Sequence, residues 1–365
     1  MFARAFLLAC ASLLWLSTLF AQTTLNPDFS LVGDIRAFTH SDPGRPTEKG
    51  EFNLENPAME FVVAGYLNPY ARADAVIAWE GEDNASIEEL YATILRGLPL
   101  GLNLRAGKYR LEFGRINPVH PHAYSFIHQP LPHEMFFGGE GLNDMAIRAS
   151  MAIPTGSLYT ELMGAVLKGD ALAGEETEDS EAPEATLKSY ALLQDEETRI
   201  KPGFFGRITS SGAVTEHAEL AVGASIVTSE YDREERLRAT IFGFDFKYKW
   251  KPDRNSSIAV EGEFLNSHRE TFDGRSSKSS GVYAYVDYRF RQKYNLGCMY
   301  EFSPEPADNQ FHVSRFTGFV GFAPIEETTL IRIAGDWTIP KEDDSFWTAT
   351  LQFVFSLGPH QPHKF

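Results

Sequence analysis

Cysteine is almost missing from this 365-residue chain, which has two, Cys10 and Cys298. Cys10 lies in a stretch that reads as a secretory leader, so Cys298 stands alone in the exported part. One thiol excludes an intrachain disulfide and a cysteine-only zinc cage. Positive charge is also scarce, with 33 Lys and Arg against 50 Asp and Glu, a formal net charge of −17. So acidic a chain lacks the basic face that phosphate backbones require, which argues against a nucleic-acid partner. Beyond the N-terminus there is no hydrophobic run near the roughly 20 residues that a membrane helix needs. No GxSxG, phosphate-binding loop or HExxH is present, so neither an enzyme nor an organic cofactor is expected.

What is present begins with a targeting signal. Arg4 supplies the positive start, residues 5–16 form a short apolar run, and Ala21 offers a small residue before Gln22. Residues 1–21 are expected to be a leader, 22–357 the folded domain and 358–365 a periplasmic tail. Arg4 is the only charged residue of the leader, so its removal takes the net charge from −17 to −18.

The folded part is marked by alternation. Segment 240–250 sets Phe242, Phe244, Phe246, Tyr248 and Trp250 on one face and Asp245, Lys247 and Lys249 on the other. Segment 281–290 opposes Val282, Ala284, Val286, Tyr288 and Phe290 to Tyr283, Tyr285, Asp287 and Arg289. Such period-two segments recur at 29–38, 58–67, 70–79, 87–95, 102–110, 144–153, 157–167 and 203–210. They continue at 218–229, 238–250, 257–266, 281–290, 294–302, 312–322, 328–337 and 346–357. That makes about 16 strands, of the length a tilted membrane strand needs.

Short connections alternate with longer, charged ones along the whole chain, as periplasmic turns alternate with external loops. Trp79, Trp250, Trp337 and Trp347 all fall at strand ends on the apolar face, where interfacial aromatic girdles sit. A soluble sandwich or lipocalin-like barrel would place the other face inward. That core would then hold Arg72, Arg105, Arg148, Arg207, Arg289, Arg315 and Arg332, at a prohibitive desolvation cost. The expected fold is therefore an all-β transmembrane antiparallel barrel in the outer membrane of a Gram-negative cell, touching lipid and lipopolysaccharide.

A barrel of that size leaves an aqueous channel, and its inward residues set selectivity. The expected pore-lining residues are Arg72, Arg105, Lys108, Arg110, Arg115, Arg148, Arg207, Asp245, Lys247, Asp287, Arg289, Arg315 and Arg332. The third external loop, 111–143, is too apolar to hang in water and is expected to fold inward as a constriction. It carries His120, His122, His128, His133, Glu134 and Glu140, and the glycines at 138, 139 and 141 suit a tight return. Four histidines invite a metal reading, centred on His120 and His122 flanking Pro121. The spacing matches no zinc motif, so no bound metal is assigned and hydrogen-bonding roles within the plug are the primary expectation. The fourth loop holds ten acids against Lys188 between Asp170 and Glu197, which marks a solvated, mobile segment.

The stretch LRAGKYRLEFGR (104–115) resembles the phosphate-selective porin O and P family, with its glycine-lysine-aromatic and Phe-Gly pattern. YLNPYARADAVIAW (66–79), GGEGLND (138–144) and the terminal SLGPHQPHKF resemble porin-like proteins near that family. The resemblance is sharp between residues 67 and 144. It implies a sixteen-stranded, often trimeric, passive channel for anions, with Lys108, Arg110 and Arg115 at the matching positions. The acidic chain and histidine-rich loop depart from the basic constriction of phosphate-selective members. The functional expectation is passive diffusion of small hydrophilic solutes or ions, with anions as the family preference. The alternative is a closed or metal-binding barrel.

Overall fold

The computed structural model describes residues 27–45, 47–81, 85–172, 202–232, 235–306, 310–325 and 328–358. The leader, most of the acidic fourth loop and the tail from 359 onward lie outside them. In chain order the strands are β1 (Asp28–His40), β2 (Asn53–Leu54), β3 (Ala58–Asn68), β4 (Ala71–Glu80), β5 (Ser86–Ile94) and β6 (Asn103–Arg110). They continue with β7 (Asn143–Thr155), β8 (Leu158–Leu167), β9 (Gly203–Thr215), β10 (Ala218–Asp232), β11 (Leu237–Asp253) and β12 (Ser256–Glu270). The last are β13 (Ser276–Phe290), β14 (Tyr294–Pro304), β15 (His312–Ile325), β16 (Thr329–Pro340) and β17 (Phe346–Leu357). Helix α1 (Leu131–Phe137) lies in the third loop.

Consecutive strands pair antiparallel, and β1 closes the sheet on β17 from Leu31↔Leu357 to His40↔Thr348. Closure removes both sheet edges, which a membrane strand needs because lipid cannot satisfy a free N–H or C=O. Sixteen long strands carry the barrel, as the alternation predicts. The additional β2 is two residues of the first external loop, laid against β1 at Ala37 and Phe38. Strand β9 runs further than the predicted 203–210. Ser211 and Gly212 read as the start of a turn, yet β10 pairs both and β8 pairs Ser211.

The outward face carries an exposed apolar belt that includes Phe242, Phe244, Phe264, Phe316, Val320, Ile333 and Leu351. Trp250, Trp337 and Trp347 are on it, and Trp337 pairs with Trp347 at the external rim. The inward face is not uniformly polar. Over the external half of β7–β12, Ala146, Met163, Ala165, Leu167, Phe205, Val227, Ile241 and Leu265 point inward and are buried. These apolar positions have no partner across an open lumen. They are covered by the third loop.

Candidate functional site

The loop between β6 and β7, residues 111–142, is folded into the barrel and held there by polar hubs on the wall. Its neck is closed by Asn117, whose amide nitrogen donates to the carbonyls of Leu111 (2.7 Å) and Leu142 (3.0 Å). The Asn117 side-chain oxygen accepts from the Leu142 N–H at 2.8 Å. Glu263 of β12 is the next hub. Its Oε1 accepts from the backbone N–H groups of Arg115 (2.7 Å) and Ile116 (2.9 Å) and from the Tyr283 hydroxyl (2.8 Å). Its Oε2 meets Nε2 of His133 at 2.9 Å. Gly114 takes the left-handed φ of +60° directly against this carboxylate. A Cβ there would stand 1.9 Å from the carboxylate oxygen, so the Phe-Gly pair of the motif is a close-approach requirement.

Glu301 of β14 holds the middle of the loop. It is paired with Arg315 (2.7 Å), accepts the Leu131 N–H at the start of α1 (2.8 Å) and meets His128 Nε2 at 3.2 Å. Arg332 of β16 donates to the carbonyls of Phe126 (2.5 Å) and Tyr124 (2.6 Å) and to Gln352 (2.7 Å). Between these hubs the loop packs by apolar contact. Leu111, Phe113, Phe136, Phe137 and Leu142 fill the inward apolar patch of β7–β12. Ile116, Tyr124, Phe126 and Ile127 pack on Tyr283, Tyr285, Met299 and Phe319 of β13–β15. Helix α1 ends at Gly138 (φ +81°), and Gly141 (φ +69°) completes the return to β7.

Neither apolar cluster extends over β1, β3 and β4, and there the loop leaves space. A cavity of about 610 Å³ runs from Val32, the fifth residue of β1, to Glu55, Trp79 and Ser86 at the external end. Five carboxylates line it, those of Asp34, Glu55, Glu60, Glu88 and Glu140, together with Arg36, Arg110 and His122. Asp34 pairs with Arg36 (2.7 Å), and Glu88 pairs with Arg110 (2.5 Å). A smaller cavity of about 100 Å³ lies against β11–β13, lined by Arg115, Lys247, Lys249, Asp287 and Arg289 among others. An external cleft of about 630 Å³ is lined by Glu134, Glu140, Lys168, Asp170 and Arg269.

At the inner edge of the first cavity, His120 faces three acids. Its Nδ1 lies 3.2 Å from Glu60 and 3.4 Å from Glu88, and its Nε2 lies 3.7 Å from Glu89. His122 Nδ1 meets the other Glu60 oxygen at 3.1 Å, and the two imidazoles stack at 5.8 Å. Burial by itself would lower the His120 pKa; the facing carboxylates, Glu60 foremost, outweigh it and hold it well above the ordinary value. Glu88 and Glu89 both reach this site because β5 is irregular there. Val76 pairs with Glu89 but the next residue, Ile77, pairs with Ile87, and such a bulge lets adjacent residues share a face.

The sequence-derived lining set is thus divided by the structure. Arg110 faces the large cavity, and Arg115, Lys247, Asp287 and Arg289 the small one. Arg72 is inward and paired with Asp74 at 2.8 Å. Arg105 and Arg148 converge on Glu112, and Arg207 on Asp245 at 2.6 Å. Arg148, Arg207, Asp245 and Arg332 are buried beneath the loop and do not border open space. Lys108 is a correction. It is exposed, stands opposite the lipid-facing Leu90, and donates to the Ile87 carbonyl at 2.8 Å. It lies three residues beyond the inward Arg105, so alternation assigns it to the other face. His133 and His128 are tethers, while Glu134 and Glu140 are exposed at the external side. Sequence reasoning missed Glu60, Glu88 and Asn117. A lone carboxylate in the apolar run 58–67 is a signal for Glu60; Glu88 is hidden by the bulge, which breaks strict alternation.

No family model matches the chain, so its resemblance to the phosphate-selective porins rests on the motif residues alone. An uncharacterized protein of Aquifex aeolicus (strain VF5) is 27% identical over 403 residues, covering 95% of this chain and 81% of that protein. Among solved structures, the anion-selective porin from Comamonas acidovorans superposes with a TM-score of 0.58 at 8% identity, over 90% of this chain and 98% of that one. The outer membrane channel DcaP of Acinetobacter baumannii gives 0.54 at 12% identity, over 92% and 99%. In its trimer form, OmpT of Vibrio cholerae gives 0.55 at 8% identity, over 91% and 99%. At these identities the likeness is one of fold, a closed outer-membrane barrel of porin type.

Proposed function

We propose that this protein is a non-enzymatic outer-membrane channel for passive diffusion of small hydrophilic solutes and ions. The path runs between the third loop and the wall of β1 and β3–β5. The observation that carries the reading is the placement of free space. The loop packs against β7–β16 through apolar clusters and hub residues, and leaves a cavity of about 610 Å³ on the opposite side.

The lining of that cavity favours cations. Five carboxylates meet two guanidiniums, an excess of three. With His120 and His122 both charged, one carboxylate still remains in excess. Rings of acidic side chains select cations in a narrow passage. The anion preference implied by the family resemblance is therefore not carried forward. Assembly as a homotrimer is part of the proposal, in keeping with the trimer form of the OmpT barrel, and the mass in detergent checks it.

Purified protein in planar bilayers under a potassium chloride gradient is expected to give discrete current steps with a reversal potential on the potassium side. Absence of steps would sink the channel reading. A reversal potential on the chloride side would sink the cation preference.

A further inference from the structure

The loop histidines are not used alike. His133 and His128 each meet one wall carboxylate in a hydrogen bond, to Glu263 and Glu301. His120 does not. Its Nδ1 is shared between two carboxylates, facing Glu60 Oε2 at 3.2 Å and Glu88 Oε2 at 3.4 Å, in ion-pair contact without the directed geometry of a single hydrogen bond.

The neighbouring contacts orient this set. Glu60 has Oε1 engaged by His122 at 3.1 Å, and Oε2 turned to His120. Glu88 has Oε1 engaged by Arg110 at 2.5 Å, and Oε2 turned to the same imidazole nitrogen at 3.4 Å. Each carboxylate is thus fixed through one oxygen and presents the other, as outer-shell partners do around metal ligands. One ligand atom from each of Glu60, Glu88 and His120 lies within 4.8 Å of the other two.

We propose that Glu60, Glu88 and His120 form a three-ligand site for a divalent transition-metal ion of the zinc class. Zinc bonds of about 2.0–2.2 Å place tetrahedral ligands roughly 3.3–3.6 Å apart. The observed separations from His120 Nδ1, 3.2 and 3.4 Å, are near that edge length. One imidazole with two carboxylates suits zinc, whereas calcium and magnesium take all-oxygen shells. Glu60 and Glu88 also border the large cavity, which gives an ion an entry route and leaves a fourth position to water. Bound there, the ion ties the loop to β3 and β5, across from its apolar anchorage. The site does not depend on conduction, so a failed channel measurement leaves it standing.

The test uses the full-length protein in detergent, stripped with a chelator and titrated with zinc chloride by calorimetry. Retention of the heat-sensitive folded band on gels reports an intact barrel. One zinc per chain is expected, and cobalt(II) should give the intense visible absorption of a four-coordinate site. His122→Gln should weaken zinc by about tenfold through the outer shell, with His120→Ala and Glu60→Gln weakening it more. His360→Ala with His363→Ala should leave affinity unchanged. The proposal is overturned by absence of zinc binding, by a weak six-coordinate cobalt spectrum, by unchanged affinity in folded His120→Ala, or by loss of binding in the tail variant.

Discussion

Glu263 shows what single residues do in this lumen. It accepts two backbone N–H groups and a tyrosine hydroxyl, and it meets an imidazole, all while fully buried. Removing such an acceptor leaves donors unsatisfied at about 1–3 kcal/mol each. Gly114 exists to let the chain reach it. Gly114→Ala forces both a strained φ and a collision with the carboxylate, so the loop neck should detach from β12 while the barrel persists. Single-channel recordings of Gly114→Ala should show larger, noisier currents than wild type; identical traces would contradict the assignment. Alternation reports the face of a strand, so an acid at position 263 is expected to point inward. It left the partners of Glu263 illegible, since nothing in a period of two registers a loop against a strand some 150 residues away.

At the scale of elements, the third loop behaves as an internal core. Phe126 is enclosed by Tyr124, Tyr285 and Phe319, with ring centroids 5.1–6.4 Å apart. Phe126→Ala should cost about 3–5 kcal/mol of packing, and that loss falls on loop docking because strand pairing does not involve it. Limited proteolysis with mass spectrometry should find cleavage within 111–142 of the variant under conditions that leave wild type whole. Equal resistance would mean that the polar hubs alone hold the loop. The apolar content of this stretch was enough to foresee that it turns inward. The direction in which it leans was not foreseeable, because the inward apolar residues of β7–β12 look like ordinary members of alternating strands. Leu167 and Ile241 gain their meaning only from Phe113 and its neighbours in the shared cluster.

For the whole molecule, the barrel was the most legible feature, because membrane closure imposes one rule on every strand. The short and long connections, the outward Trp250, Trp337 and Trp347 and the sixteen long strands all express that rule. Lys108 obeys it too, since it lies an odd number of residues from the inward Arg105 and so falls on the other face. What alternation cannot convey is where the filled and open parts of the lumen lie, since that depends on a loop packed eccentrically inside a cylinder. The central claim is that solute passes along β1 and β3–β5. Ala58 lies on this wall opposite Asp34 and borders the large cavity. The direct test is current through Ala58→Cys, in a Cys298→Ser background, before and after a charged thiol reagent. Persistent partial block with a shift in ion selectivity is the expected result, and conductance and selectivity unchanged after complete modification would contradict the account.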